Sequence, residues 1–107
     1  MRSFLFTAQF STDVDGYITV RFRDVSEAIT SGRDRADANA QAADCLEEAI
    51  AGRITDGLEI PHPTKARRGE VLIALPPTMA AKAALYLAIL ESGLPKVQIA
   101  KHIGVGC

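Results

Sequence analysis

Apolar and polar residues alternate over residues 4–10, FLFTAQF. Phe4, Phe6, Ala8 and Phe10 share one face, and Thr7 and Gln9 point the other way. A period of two predicts a half-buried strand. The polar run STDVDG ends in Asp15-Gly16, a good turn signal, and YITVRF then alternates again with Ile18, Val20 and Phe22 inward and Thr19, Arg21 and Arg23 outward. Two such runs across a turn predict a hairpin. Residues 28–31, AITS, are a short β-branched candidate for a third strand. Gly32 breaks the pattern, and Asp34 is placed to accept backbone N–H groups as an N-cap. Ala36, Asn39, Ala43, Leu46 and Ile50 then recur at i, i+3, i+4 spacing, flanked by Ala42 and Ala49, which predicts an amphipathic helix over 35–52. Its apolar face is mostly alanine, so it should sit close against a sheet. Asp37, Asp44, Glu47 and Glu48 fall wholly or partly off that face, and a solvated helix side is the simplest use for them.

The stretch TDGLEIPHPTKARRGE reads as loop, because Pro61 and Pro63 fix an extended path and cannot donate to a ladder. His62 between them reads as a loop residue rather than a ligand or base. EVLIALP (70–76) is a fourth strand, short and apolar enough to be central, and Pro76-Pro77 ends it. TMAAKAALYLAILESG predicts a helix capped by Thr78 and stopped by Gly93, and Pro95 suits the first turn of a further helix in PKVQIAKHIG. The fold class expected is α+β: a β-β-β-α-β sheet with one long packed helix, followed by two C-terminal helices. A body over residues 1–76 is expected, with an appended helical segment over 77–107.

Length and composition narrow the function. With 107 residues and a formal charge of -1, the chain can bury a real core and is no generic polyanion binder. Any contact with nucleic acid must come from a local patch. Only 6% of residues are aromatic and none is Trp, which disfavours a base-stacking platform. The two cysteines, Cys45 and Cys107, form no disulfide framework. With two distant histidines they offer no metal-ligand spacing, so neither metal nor cofactor is expected. Cys45 is expected to pack as a small hydrophobe in a reduced, cytoplasmic protein. The N-terminus has a short apolar run without a small-residue cleavage site, and MAAKAALYLAIL is interrupted by Lys82 and too short to span a bilayer.

The last fourteen residues, LPKVQIAKHIGVGC, read like the opening of a helix-turn-helix. With Lys96 as the first position, Ile99 and Ala100 take the fourth and fifth places, and Ile103, Gly104 and Val105 the eighth to tenth. A small Ala100 lets the second helix approach the first, Gly104 supplies a turn with positive φ, and the aliphatic residues fill the core between helices. The sequence carries no second helix after Val105. Lys96, Lys101 and His102 are therefore expected to meet phosphates at most, without reading bases. Leu94, Ile99, Ile103 and Val105 lose part of their covering, and the expectation is that they pack against another subunit, giving a homodimer or larger assembly, or that the tail is poorly ordered.

Taken in order, these segments resemble the HicB-type antitoxins of toxin–antitoxin operons. FRDVSEAITSG is similar to the family's stretch F-P-D-l-p-G-c-x-T-x-G, with Phe22, Asp24, Thr30 and Gly32 in place, Arg23 where the family has Pro and Glu27 where it has Gly. Ala38, Gln41 and Ala42 resemble an A-x-x-N-A helix core, and Gly57, Ile60, Pro61 and Pro63 resemble G-x-x-I-P-x-P. The tail resembles the family's helix-turn-helix variant up to Val105. The resemblance implies a partial ribonuclease-H-like fold over 1–76 that binds toxin, and an incomplete helix-turn-helix or oligomerisation segment over 77–107. It implies a partner, a small HicA-type mRNA-cleaving ribonuclease whose active site the antitoxin covers. It also implies operator DNA as a ligand of family members. The chain is not expected to be an enzyme.

A toxin that binds RNA should be basic, so acids should face it. Asp13, Asp15, Asp24 and Glu27 lie on the turns beside the hairpin and are the candidates; ordinary turn chemistry is the competing use for such acids. Two rivals remain. A metal-dependent ribonuclease-H-like nuclease would need carboxylates such as Asp13, Asp24, Asp44 and Glu48 to converge. An orphan regulator or assembly protein would have no toxin at all. The basic loop KARRG (65–69) can meet phosphate, and a solvated loop is its simpler role.

Overall fold

The computed structural model describes residues 4–93. It is α+β, in the order β1 (Leu5–Thr12), β2 (Ile18–Phe22), β3 (Ile29–Gly32), α1 (Arg35–Thr55), β4 (Glu70–Ala74) and α2 (Pro77–Glu91). The four strands form one antiparallel sheet in the order β3-β2-β1-β4. The predicted helix after Pro95, and with it Leu94, Lys96, Ile99, Lys101, His102, Ile103 and Val105, lies outside the described residues.

Register follows from the alternation. Ala8 pairs with Phe22, Phe10 with Val20 and Phe6 with Ile73, so the large apolar side chains of three strands share one face. A slip of one residue would turn all of them to the other side. Contrary to expectation, β4 is an edge strand and β1 and β2 are central. Its apolar run reflects one packed face, Ile73 with half-buried Val71, and an open one, Leu72 and Ala74. Residue type does not tell those faces apart, because Val, Leu, Ile and Ala occupy both.

Helix α1 covers the apolar face. Its buried row is Ala38, Ala42, Leu46, Ile50 and Ile54, a strict i+4 series, whereas Ala36 and Asn39 of the predicted face are exposed. The position of the buried row has a local cause at Gly32. This residue does not break β3 but ends it, paired with Ile18 and buried. A Cβ built on Gly32 would lie 2.4 Å from the Ala38 backbone nitrogen. The absent side chain at Gly32 and the methyl of Ala38 let the helix backbone lie directly on the strand, which fixes Ala38, not Ala36 or Asn39, as the first contact. Asp34 caps the helix as expected, accepting from the Asp37 N–H at 2.8 Å, while Asp37 accepts from the Arg33 N–H. Arg35 stacks its guanidinium 4.5 Å from the centre of the Phe10 ring, a second tie between helix start and sheet.

The helix runs past the predicted end at Gly52 because Ile54 continues the buried row. It stops at a Schellman cap: Leu58 N–H donates to Arg53 O at 2.8 Å and Gly57 N–H to Ile54 O at 3.1 Å, with Gly57 at φ 70. Helix α2 begins two residues earlier than a cap at Thr78 would set it. Pro76 stands at the N-cap and Pro77 in the first turn, so Thr78 makes no capping hydrogen bond. Met79, Ala83 and Tyr86 of α2 join the core formed by the sheet and α1. Tyr86 is fully buried, and its hydroxyl donates to Leu58 O at 2.9 Å. Burial pushes that hydroxyl's pKa up, so it stays a donor. Among the described residues no helix is long and apolar enough to cross a membrane.

Two glycines in and beside α1 predict opposite outcomes for the same substitution. Gly32→Ala forces a methyl into the Ala38 backbone and should lower unfolding free energy by about 1–3 kcal/mol. Gly52→Ala sits mid-helix with nothing within 4 Å of the added carbon, and should raise it by about 0.5–1 kcal/mol through helix propensity. Urea unfolding followed by circular dichroism checks both signs.

Candidate functional site

The four candidate acids divide between two places. Asp13 and Asp15 sit in the β1–β2 hairpin, and Asp24 and Glu27 in the β2–β3 connection, at opposite ends of β2. A five-residue strand separates the pairs by about 17 Å, so the acids form no single cluster.

Three of the four hold internal bonds. Asp13 Oδ1 accepts from the Asp15 and Tyr17 N–H groups at 2.9 and 3.0 Å, the side-chain turn chemistry that Asp favours. Asp24 Oδ2 accepts from both the N–H and the hydroxyl of Thr64, each at 2.8 Å. Glu27 forms a two-pronged pair with Arg53, whose Nε donates at 2.6 Å and Nη2 at 2.7 Å. The third prong of Arg53, Nη1, donates to Glu59 O, so the pair also ties down the segment after α1. The Arg53 hydrogen bonds hold the Glu27 carboxyl below the usual carboxylate range despite partial burial. Of the four, only Asp15 keeps a carboxylate without a partner among the described residues.

The hairpin tip carries more than acid. Val14 is fully exposed between Asp13 and Asp15, and Tyr17 is half exposed beside them. The signal was present in STDVDGY as an apolar residue inside a polar turn, but the period-two reading had no role for it.

The opposite face of the sheet from α1 is crossed by the loop of residues 58–69. Thr7 points to that face, as expected, yet is completely buried, because its hydroxyl donates to Thr64 O at 2.9 Å under the loop. Arg23, standing where the family pattern has Pro, donates through Nη1 to Thr64 Oγ1 at 2.7 Å and to Lys65 O at 3.1 Å. Its Nη2 pairs with Glu70. Glu70 also accepts from the Arg67 N–H at 2.6 Å, and its own N–H closes the turn onto Arg67 O. Arg23, Asp24, Thr7 and Glu70 thus clamp the loop at Thr64 and at Arg67. Beside the clamp is a cleft of about 390 Å³ lined by Gln9, Arg21, Phe22, Arg23, Arg67, Arg68 and Glu70.

The carboxylates that a nuclease would need do not converge. Asp13 and Asp24 are at opposite ends of β2, and Asp44 and Glu48 are exposed on α1. No group of three or more His, Cys, Asp or Glu among the described residues is placed to hold a metal ion. Cys45 is half buried against the core, and burial, then Glu48 and Glu27, push its thiol up, away from the reactive thiolate.

Residues 4–84 match the family model described as a HicB-like antitoxin of bacterial toxin–antitoxin systems. That span holds the sheet, α1, the clamped loop and the first half of α2. The chain belongs to this family. It is 32% identical over 99 residues to Antitoxin HicB 2 of Photorhabdus laumondii, covering 92% of this chain and 69% of that one. It is 32% identical over 91 residues to Antitoxin HicB 1 of the same organism, covering 85% of this chain and 57% of that protein. It is also 32% identical over 90 residues to Antitoxin HicB of Escherichia coli K12, covering 84% of this chain and 65% of that protein.

The Glu27–Arg53 pair generates a pH prediction. The folded-state pKa of Glu27 lies below its ordinary value of 4.5, so its stabilisation is present above that value and is lost as pH falls through the lower folded value. The pair is partly exposed, at 45% for the Glu27 side chain, so screening limits its worth to about 0.5–1 kcal/mol. Glu27→Gln should be less stable than the parent by that amount at pH 7. The gap should close below pH 4.5, as read by paired denaturant titrations.

Proposed function

We infer that the chain is an antitoxin that binds and neutralises a small HicA-type mRNA-cleaving toxin by covering it, doing no chemistry of its own. The reading is carried by the family match over residues 4–84, which coincides with the packed sheet-and-helix body. The surface supports a binding role. The hairpin tip offers an exposed apolar side chain, Val14, between two acids, with Tyr17 alongside. Interfaces gain most from buried aromatic anchors, the role Tyr17 fits, with Val14 adding apolar area, and flanking charge sets partner choice and encounter rate. In this reading Asp13 and Asp15 face the toxin directly. Asp24 and Glu27, if they contact it, do so from the far end of β2 while holding the loop and the end of α1.

Participation in autoregulation of the operon belongs in this reading to the segment after Gly93. There Lys96, Lys101 and His102 would meet operator phosphates, and Leu94, Ile99, Ile103 and Val105 would hold a second subunit. The protein acts in the cytoplasm, where mRNA is cleaved.

The test pairs the full chain with the ribonuclease encoded beside its gene. A stoichiometric amount should abolish RNA cleavage by that neighbour. Asp13→Ser with Asp15→Ser should slow association about tenfold at low salt and flatten its salt dependence. Val14→Ser should act mainly on dissociation. Unchanged cleavage in the presence of the chain would defeat the antitoxin reading. Unchanged kinetics in the variants would move the toxin contact away from the hairpin.

A further inference from the structure

The cleft on the loop-covered face carries a charge opposite to that of the chain. Four guanidinium groups, Arg21, Arg23, Arg67 and Arg68, line it against a single carboxylate, Glu70, on a protein whose formal charge is -1. Arg23 and Glu70 neutralise each other. The side chains of Arg21, Arg67 and Arg68 have no hydrogen bond or ion pair among the described residues. They come from separate parts of the chain. Arg21 is on β2, in the row where it pairs with Gln9, which in turn pairs with Glu70. Arg67 and Arg68 are delivered by the turn that Glu70 closes. The fold therefore uses one carboxylate, one arginine and Thr64 to aim two further arginines at a third.

We propose that this cleft binds the phosphodiester backbone of a single-stranded nucleic acid. Guanidinium groups match phosphate in charge and in planar two-pronged geometry. Gln9 adds a neutral donor and acceptor beside them. At about 390 Å³ the cleft is at the small end of ligand-sized pockets; a strand can lay its backbone into it, whereas a duplex would meet only the rim. The lining holds no exposed aromatic, since Phe22 is 3% exposed, so bases are not stacked and binding is independent of sequence. An acidic protein segment is the less favoured occupant, because the lining offers no exposed apolar pocket for an anchor. The site is separate from the hairpin tip and does not depend on the toxin reading.

Fluorescence anisotropy with the full chain and labelled 12-nucleotide oligo-U and oligo-dT tests this. Micromolar-range binding is expected at 50 mM salt, weakening about 20-fold at 200 mM if three arginines each displace a counterion. The Arg21→Gln, Arg68→Gln double variant should lose about tenfold in affinity at 50 mM and most of the salt slope. Both side chains lack partners among the described residues, and circular dichroism checks that the variant remains folded. Preference between the two oligomers identifies RNA or DNA as the source of the phosphates, and either supports the proposal. No binding at 50 mM salt overturns it. So does a loss that follows Lys96→Gln with Lys101→Gln instead of the cleft variant, or equal affinity for a hexaglutamate peptide.

Discussion

The architecture hangs on how near the backbone of α1 comes to the last residue of β3. Gly32 and Ala38 meet with so little between them that one added carbon would strike the helix backbone. That contact sets the helix rotation, and the rotation selects Ala38, Ala42, Leu46, Ile50 and Ile54 as the buried row. The row starts with methyl groups, where helix and strand nearly touch, and ends in long aliphatic chains, where room must be filled. Rows at i+4 spacing are inclined to the helix axis, so contact moves across the sheet as the helix descends. The acids Asp44 and Glu48 fall on the solvent side as a result.

With one sheet face sealed by a helix, the other is left to a loop, and a loop needs polar fasteners. Arg23, Asp24 and Thr7 converge on Thr64, while Glu70 holds the turn at Arg67. A Pro at position 23, as in the family pattern, would supply no guanidinium for Thr64, Lys65 or Glu70. Arg23 thus gives the loop two contacts, at Thr64 and Lys65, and a third to Glu70 at the start of β4. Individually such partly exposed bonds are worth about 1 kcal/mol or less. Their value is geometric, since together they hold a proline-containing segment to one path over Thr7.

The alternation of Phe6, Ala8, Phe10 with Ile18, Val20 and Phe22 made the hairpin and its core face legible, because a slip of one residue would turn those side chains to the other face; a slip of two would not, so the exact register was not legible. The N-cap at Asp34 was legible for the same kind of local reason. What stayed hidden was non-local. No periodicity tells that Gly32 will touch Ala38, and the pattern placed the helix face one residue row away. The edge position of β4 depends on strand order, which a run of Val, Leu, Ile and Ala does not encode. Among the candidate acids, Asp13 and Asp15 were found as turn residues. That Asp24 reaches Thr64 across 40 residues and Glu27 reaches Arg53 across 26 could not be inferred from spacing. KARRG was visible as a basic loop, but its meeting with Arg21 required knowing which sheet face the loop crosses.

The resulting distribution of charge constrains where a basic partner can sit. Arg21, Arg67 and Arg68 have no ion-pair partner among the described residues and lie exposed on the loop-covered face, so a cationic surface approaching there meets repulsion that salt screens. The hairpin tip has the opposite character: Asp15 has no partner among the described residues, Asp13 is exposed, and Val14 projects between them. A ribonuclease whose surface is shaped for phosphates would be steered toward the tip and away from the cleft by the same field. The two surfaces therefore need not compete. Arg23 and Glu70 hold the loop that carries Arg67 and Arg68 on that face. Their mutual neutralisation keeps the clamp itself from adding to either field.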